Sequence, residues 1–472
     1  MISIENFIKQ YSKQILDGNA AIFAGAGMSA ASGYVSWREL LKDIAEELNL
    51  DIEKENDLIG IAQYHLNENN NRSALNQRIL EKFTSTATES NVHHILARMP
   101  IGTYWTTNYD QIIEDVIKKY NKRVDIKIQQ NSLANNILKR DVVVYKMHGD
   151  VLMPSEAVIT KDDYEGYNEK HQLFTTALQG DLITKTFLFI GFSFEDPNLN
   201  YILSRIRILL GENKRTHYAF IKKCKREDYE YPEEYEYDLN RQKLKINDLN
   251  RYSICAIMIN EYSEIENILL KIENKINKRN IFISGSACDY GVFGIEKATR
   301  LLEKITEQIL KNDYKIVTGF GLGVGSFIIN KAIQIIKKFK YSHFDEYINI
   351  SPFPYQIGEK EKEIFNKEYR ENMINSCGIA IFVFGNKYKD GEIVNSKGVM
   401  EEFNIAKSRE AVIIPIGSTG FASKDISDEI IGNIEKYPYL KKYIKVLSES
   451  DDIEKIVDTI ISIIENVNKD KK

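Results

Sequence analysis

An α/β fold built from two Rossmann-like domains is what this sequence predicts, and three observations predict it. Short β-rich runs alternate with longer helical periods along the 472 residues, the pattern of parallel sheets covered on both faces. The pattern halts in a polar stretch and then restarts. A glycine-rich turn follows the first strand of each half, at the edge where open α/β sheets receive ligands. The length agrees, because a chain of this size exceeds one ordinary core and divides into domains of roughly 200 to 270 residues.

In the first half the strands fall at about 20–25, 102–107, 141–147, 186–191, 216–221 and 253–259. Residues 38–98 carry helical periods and no convincing strand, so they read as a helical insertion after the first βα unit. The segment LLKIENKINKRN, 269–280, is polar after Leu270 and reads as a helix end plus linker. The domains are accordingly placed at 1–275 and 280–472. Beyond the linker, NIFISGSACD reads as strand and loop, EKATRLLEKITEQILKND as helix, and YKIVTGFGLGVGSFIINKAIQII as strand, glycine loop and helix. EYINISPFP (346–354), CGIAIFVFG and AVIIPIGS add three further strands.

Composition excludes several classes of function. Hydrophobic content of 43% and charged content of 28% are ordinary for a soluble globular protein. A net charge of -5 provides no electrostatic reason to expect nucleic acid or a membrane surface as partner. The four cysteines, Cys224, Cys255, Cys288 and Cys377, have no CxxC spacing, which reads as a reduced, intracellular chain without a metal ribbon. The N-terminus, MISIENFIKQYSKQIL, is an amphipathic mixture unlike a signal peptide, and no run of eighteen apolar residues occurs. A cytoplasmic location is expected.

FAGAGMSAASG (23–33) places Gly25, Gly27 and Ala30 in G-x-G-x-x-G/A spacing. Such a turn either lets a backbone approach a pyrophosphate at a helix N-terminus or meets a positive-φ requirement. No acidic residue follows on a second strand, so an ordinary dehydrogenase is disfavoured. TTNYD (106–110), KMHGD (146–150) and GFSFEDPNL (191–199) each place polar residues directly after a strand. His148 ends a strand and precedes glycine, whereas His65, His93, His94, His171, His217 and His343 read as surface or hydrogen-bonded residues, and Trp37 and Trp105 as packing.

These segments resemble the sirtuin family over roughly residues 10–275. GAGMSAASGYVSWR matches that family's G-A-G-x-S-x-x-x-G-x-x-x-[aromatic]-R run through Gly33, Trp37 and Arg38; TTNYD resembles T-Q-N-x-D, with Thr107 in place of glutamine; GFSFEDP resembles the late G-x-S loop. The resemblance implies an NAD pocket with Asn108 and His148 as catalytic residues. Asn108 would fix the ribose or a water, and His148 would exchange a proton with a ribose hydroxyl. Gly25, Ala26, Gly27 and Ser29 would line the diphosphate, Asp110 would hold the carboxamide, Gly191 and Ser193 would face the adenosine, and Arg38, which completes the motif, would also bind the cofactor. Two departures stand out. Ser36 replaces the family's usual acidic residue, and no cysteine occurs between 1 and 223, where a deacylase would carry its zinc module. The expected reaction is therefore hydrolysis of the nicotinamide glycosidic bond, with no metal. Rival readings are an acyl-lysine deacylase or ADP-ribosyltransferase, and a non-enzymatic nucleotide-binding scaffold.

The second half offers ISGSACD (283–289) and TGFGLGVGS (318–326), each after a strand. Ser284, Gly285, Ser286, Gly319, Gly321 and Gly323 would present backbone N–H groups to phosphate, or simply pack two βα turns. Arg370 could meet a diphosphate bidentately, Lys387 follows a strand at the same edge, and Glu402 could accept ribose hydroxyls; a solvated charged face is the alternative. This half resembles the SLOG family of nucleotide-sensing domains. VTGFGLGVGS stands at the first glycine loop of its phosphoribohydrolase relatives and GVMEEF (398–403) only echoes the second, which implies binding rather than turnover. The pairing of the two domains resembles the NAD-consuming effectors of the Thoeris anti-phage system. That implies activation by a cyclic ADP-ribose isomer, supplied by a partner enzyme with a TIR domain, and a homotetramer or larger assembly.

Overall fold

In the computed structural model, which describes residues 2–84, 87–211, 213–338, 343–353 and 359–469, the chain divides into two units, Met1–Glu273 and Asn274–Lys472. The strands of the first are β1 (Ala20–Ala24), β2 (Thr103–Thr106), β3 (Val124–Lys127), β4 (Val142–Lys146), β5 (Thr186–Ile190), β6 (His217–Lys222) and β7 (Ile254–Ile259). They form one seven-stranded sheet of order β3-β4-β2-β1-β5-β6-β7. Every pairing is parallel, with Phe23 beside Trp105 and Phe189, and Ala24 beside Thr106 and Ile190. All of AAIFA in β1 and TFLFI in β5 is buried, and their apolar or small residues on both faces suit a parallel sheet covered on both sides. The six expected strands form. The seventh, β3, carries little strand signal: VDIK is a short edge strand whose Asp125 and Lys127 interrupt any apolar run while pairing with each other at 2.9 Å.

β1 lies between β2 and β5, so the strand order reverses there, and the crevice beyond its C-terminal end is the ligand position of an open α/β sheet. The expected helical insertion contains Trp37–Glu47, Leu58–Asn69, Ser73–Phe83 and Asn91–Arg98. Leu40, Ile44, Ile61 and Ile79 pack together with Tyr109, from the loop after β2, and Ile159, from the loop after β4. The insertion thereby buttresses the loops at the crevice. Ser36, where the sirtuin pattern is acidic, starts the first of these helices. Its Oγ accepts the Glu39 N–H at 3.2 Å while the Glu39 carboxylate accepts the Ser36 N–H at 2.7 Å.

The second unit carries β8 (Asn280–Ser284), β9 (Lys315–Thr318), β10 (Ile348–Ile350), β11 (Ile379–Val383), β12 (Asn386–Lys389), β13 (Glu392–Asn395) and β14 (Val412–Ile416). Five of them form a parallel sheet of order β10-β9-β8-β11-β14. β10 lies within the strand expected at 346–354, whose position 354 is outside the described residues. β8 occupies the reversal point here, which brings the loops after β8, β9 and β11 to one edge. Between β11 and β14 a separate antiparallel hairpin forms from β12 and β13. Asp390 and Gly391, with φ of 52° and 89°, make its turn, and Asp-Gly is the sequence signal that could have revealed it. Of the stretch 269–280, expected to be a helix end plus linker, the part up to Asn277 is helical and the next strand starts at Asn280. Among the described residues no helix is long and apolar enough to cross a membrane.

Candidate active site

Gly25 and Gly27 owe their identity to a neighbouring backbone. A Cβ on Gly25 would lie 2.5 Å from the Gly191 carbonyl oxygen, and one on Gly27 would lie 2.9 Å from the Gly191 Cα. The Gly25 N–H donates to Ile190 O and the Gly27 N–H to Gly191 O, both at 2.9 Å. The turn after β1 is thus locked against the turn after β5, and Ala26, Gly27, Gly191 and Ser193 all line one cavity of about 1040 Å³. Its size falls at the upper end of small-molecule pockets.

Asn108, just beyond β2, is buried beneath this turn. Its amide donates to Gly25 O at 3.1 Å and to Ser29 Oγ at 2.7 Å, and the Ser29 hydroxyl donates to Asp110 Oδ2 at 2.6 Å. Four of the expected site residues, Gly25, Ser29, Asn108 and Asp110, therefore form one connected network. Asp110 also accepts the Ile112 N–H at 3.1 Å, which starts the following helix. Behind the network Lys146, fully buried at the end of β4, donates to the carbonyls of Tyr109 and Asp110 and to the carboxylates of Glu114 and Asp150. Burial alone would push its ammonium down, but the Glu114 and Asp150 charges outweigh burial and hold it above the usual lysine range. This internal cation ties the loop after β2 to the loop after β4.

His148 lines the cavity and is 2% exposed. Its ring stands edge-on to Tyr164, at a centroid distance of 5.4 Å, and to Tyr167 at 6.2 Å. Nε2 lies 3.1 Å from Asp196 Oδ2, at ion-pair distance but out of line for a hydrogen bond, and has no other partner among the described residues. Asp196 also lines the cavity and is the N-cap of the helix Pro197–Leu210, where Oδ1 accepts the Leu199 N–H at 2.8 Å. Burial opposes its charge, yet the His148 ring and the N–H groups of Leu199 and Asn198 hold the carboxyl below the usual aspartate range. Motif spacing does not single out Asp196. Its signal is an Asp-Pro pair opening a helix, which identifies a cap but not what the second oxygen faces.

Arg38 stands apart. Its guanidinium donates to the carbonyls of Ile52 and Glu55 inside the helical insertion and is not among the residues lining the cavity. Trp37 does line the cavity, while Trp105 is buried, stacked on Tyr145 at 4.2 Å. Among the described residues no group of three or more His, Cys, Asp or Glu side chains is placed to hold a metal ion.

In the second unit, Gly285, Gly321 and Gly323 also reflect close approach: a Cβ on Gly321 would strike Gly285 O, and one on Gly323 would strike Ala287 O. Gly319 packs against Phe353. Ser284 Oγ donates to Glu402 Oε2 at 2.5 Å, and Arg370 reaches Glu402 Oε1 at 3.4 Å and Glu401 Oε2 at 2.6 Å while lying 4.8 Å over the Phe353 ring. Burial raises the Glu402 carboxyl above its usual range, and Ser284 and Arg370 offset only part of that. Ser286 donates to Asn386 O at 2.9 Å, and the buried Asn386 side-chain oxygen accepts the N–H groups of Cys288 and Asp289. Lys387 is exposed on β12. Ser284, Arg370 and Glu402 are thus brought together, as are Ser286 and the hairpin that carries Lys387.

A dinucleotide-sized crevice at the reversal point of a parallel sheet, ahead of a second sheet with its own glycine loops, defines a sirtuin-like and SLOG two-unit protein. Residues 102–243 match the SIR2-like domain, and residues 264–467 match the Sir2- and TIR-associating SLOG family. The chain is 45% identical over 469 residues to the NAD(+) hydrolase ThsA of Bacillus cereus (strain MSX-D12), covering 98% of each chain. It is 43% identical to the protein of that name from Cytobacillus dafuensis, over 98% of this chain and 96% of the relative. The Enterococcus faecium protein is likewise 43% identical, over 98% and 99%. The chain belongs to the ThsA family.

Proposed function

We propose that the chain hydrolyses NAD to nicotinamide and ADP-ribose, and that a cyclic ADP-ribose isomer bound to its second unit switches this activity on to deplete NAD in anti-phage defence. The observation that carries the reading is the network Gly25–Ser29–Asn108–Asp110 beside a cavity lined by His148. Cleavage sends the electrons of the C1′–N bond to nicotinamide and leaves an oxocarbenium-like ribose. Asn108 orients the ribose or the water, and His148 takes up the proton released as the water oxygen bonds to C1′. Asp110 receives the carboxamide, the turn at Gly25–Gly27 faces the diphosphate, and Gly191 and Ser193 the adenosine. The full-length similarity to proteins named NAD(+) hydrolase supports the substrate.

In the second unit the loops at Gly285, Gly319 and Gly321, with Arg370, Lys387 and Glu402, receive the activator, which a TIR-domain enzyme supplies. The working form is a cytoplasmic homotetramer or larger. Purified chain incubated with NAD, with and without each cyclic ADP-ribose isomer, tests both halves of the proposal. Nicotinamide release that rises with one isomer and needs no acylated peptide is expected; turnover only with an acyl-lysine substrate would sink it.

A further inference from the structure

His148 has a partner that neither the glycine-loop motifs nor the sirtuin resemblance assigns. Asp196 holds two positions at once. One oxygen caps the helix Pro197–Leu210 through the Leu199 N–H, and the other stands 3.1 Å from His148 Nε2 in a site where both side chains are nearly fully buried. The cap fixes the carboxylate independently of the histidine, so its second oxygen is aimed rather than merely nearby. Nε2 is buried and has no hydrogen-bond partner among the described residues. Leaving it so would cost the desolvation of a polar group, and turning the ring so that Nε2–H points at the carboxylate already 3.1 Å away removes that cost.

The other groups facing the imidazole are Tyr164 and Tyr167, whose hydroxyls burial keeps protonated, and His171, which stacks on Tyr167 at 4.7 Å. Tyr109 lies within electrostatic reach of Asp196 and is likewise kept neutral by burial. Asp196 is the one carboxylate in direct contact with the ring among the described residues.

We infer that Asp196 is the positioning residue of the active site: a small turn of the His148 ring brings Nε2–H into line with the second Asp196 oxygen, which accepts it, thereby placing the basic lone pair on Nδ1 and stabilising the imidazolium formed when Nδ1 accepts a proton. In a neutral imidazole one nitrogen donates and the other accepts, so a fixed acceptor at Nε2 leaves Nδ1 as the base. This role deepens the proposed hydrolysis and rests on His148 acting in it.

Asp196→Asn tests it, because asparagine caps helices as well as aspartate does but presents no carboxylate; Asp196→Ser, also a capping residue, is the second variant. In the full chain, the expected result is nicotinamide release from NAD with kcat lowered by about 10²-fold and KM within about threefold. With ¹⁵N-histidine labelling, and the His148 signal assigned from its loss in His148→Ala, the parent shows the Nε2–H tautomer and Asp196→Asn shows a mixture. A parental kcat in both Asp196 variants, a loss confined to KM, or a His148 tautomer unchanged by Asp196→Asn would each overturn the assignment. If His148→Ala itself retains parental turnover, the hydrolytic role of His148 fails, while the tautomer measurement still decides whether Asp196 holds the ring.

Discussion

Asn108 does two jobs in this structure. Its amide joins the loop after β2 to the turn after β1 through Gly25 O and Ser29 Oγ, and the proposed hydrolysis uses the same side chain to orient the ribose or the water. His148 has a lighter structural load, being held by its tyrosine neighbours and Asp196. We expect Asn108→Ala and His148→Ala each to lower the rate of nicotinamide release by about 10²-fold or more. Removing the two Asn108 bonds should also cost about 1–3 kcal/mol of stability, since neutral hydrogen bonds contribute roughly 0.5–1.5 kcal/mol each. Denaturant titration beside the rate assay separates the effects. A variant with intact folding and parental rate would take that residue out of the mechanism.

The turns after β1 and β5 behave as one structural element because their backbones touch. Gly191 sits at φ 64°, and a Cβ there would collide with the Met28 backbone nitrogen, a group that cannot move without shifting the whole turn. Gly191→Ala should therefore destabilise the chain by about 1–3 kcal/mol and depress NAD turnover, because the two cavity walls are forced apart. Gly180 provides the contrast. It lies inside the helix Gln172–Thr184, and a Cβ added there would meet nothing within 4 Å among the described residues. Gly180→Ala should raise stability by up to about 1 kcal/mol through helix propensity and leave turnover alone. Equal denaturation midpoints for the two variants would contradict this account of why glycine is needed at 191.

Across the whole chain, acid should act first through buried neutral histidines. Burial pushes His217 down to about 3 and His93 down to about 4, and His217 Nδ1 accepts the Phe187 N–H at 3.1 Å, a bond that protonation abolishes. Between pH about 6.5 and these values the unfolded chain binds protons that the folded chain refuses. Stability is then full above pH about 6.5 and falls as pH drops, by up to about 1.4 kcal/mol per pH unit for each histidine. Urea midpoints from pH 7 to pH 4.5 should show this slope, and His217→Asn should make it shallower; an identical slope would refute the assignment. Regulation is tested at the second unit. Lys387→Ala and Arg370→Ala each remove a charge from the proposed activator site, where a charge-assisted hydrogen bond contributes roughly 1.5–3 kcal/mol. Calorimetry with the activating cyclic ADP-ribose isomer should therefore show about 10- to 100-fold weaker binding. Parental affinity in both would move the site elsewhere.

Much of this architecture is written in local pattern. Apolar runs such as AAIFA, TFLFI and IAIFV announce strands buried on both faces, and the loops that follow strands carry Gly25, Asn108, His148 and Gly191 at the ligand edge of a parallel sheet. Those features are readable because burial imposes a period or a continuous apolar run on consecutive residues. Short segments without such a run escape, as β3 does through its Asp125 and Lys127, and as the β12–β13 hairpin does through its exposed, charged residues. The partners across the fold escape for a different reason. That Gly25 is glycine because Gly191 lies against it, that Lys146 is buried among Glu114 and Asp150, and that Asp196 faces His148 all depend on which strands become neighbours. Strand order is settled by packing between distant segments, and periodicity along the chain records that a residue is buried without recording against what.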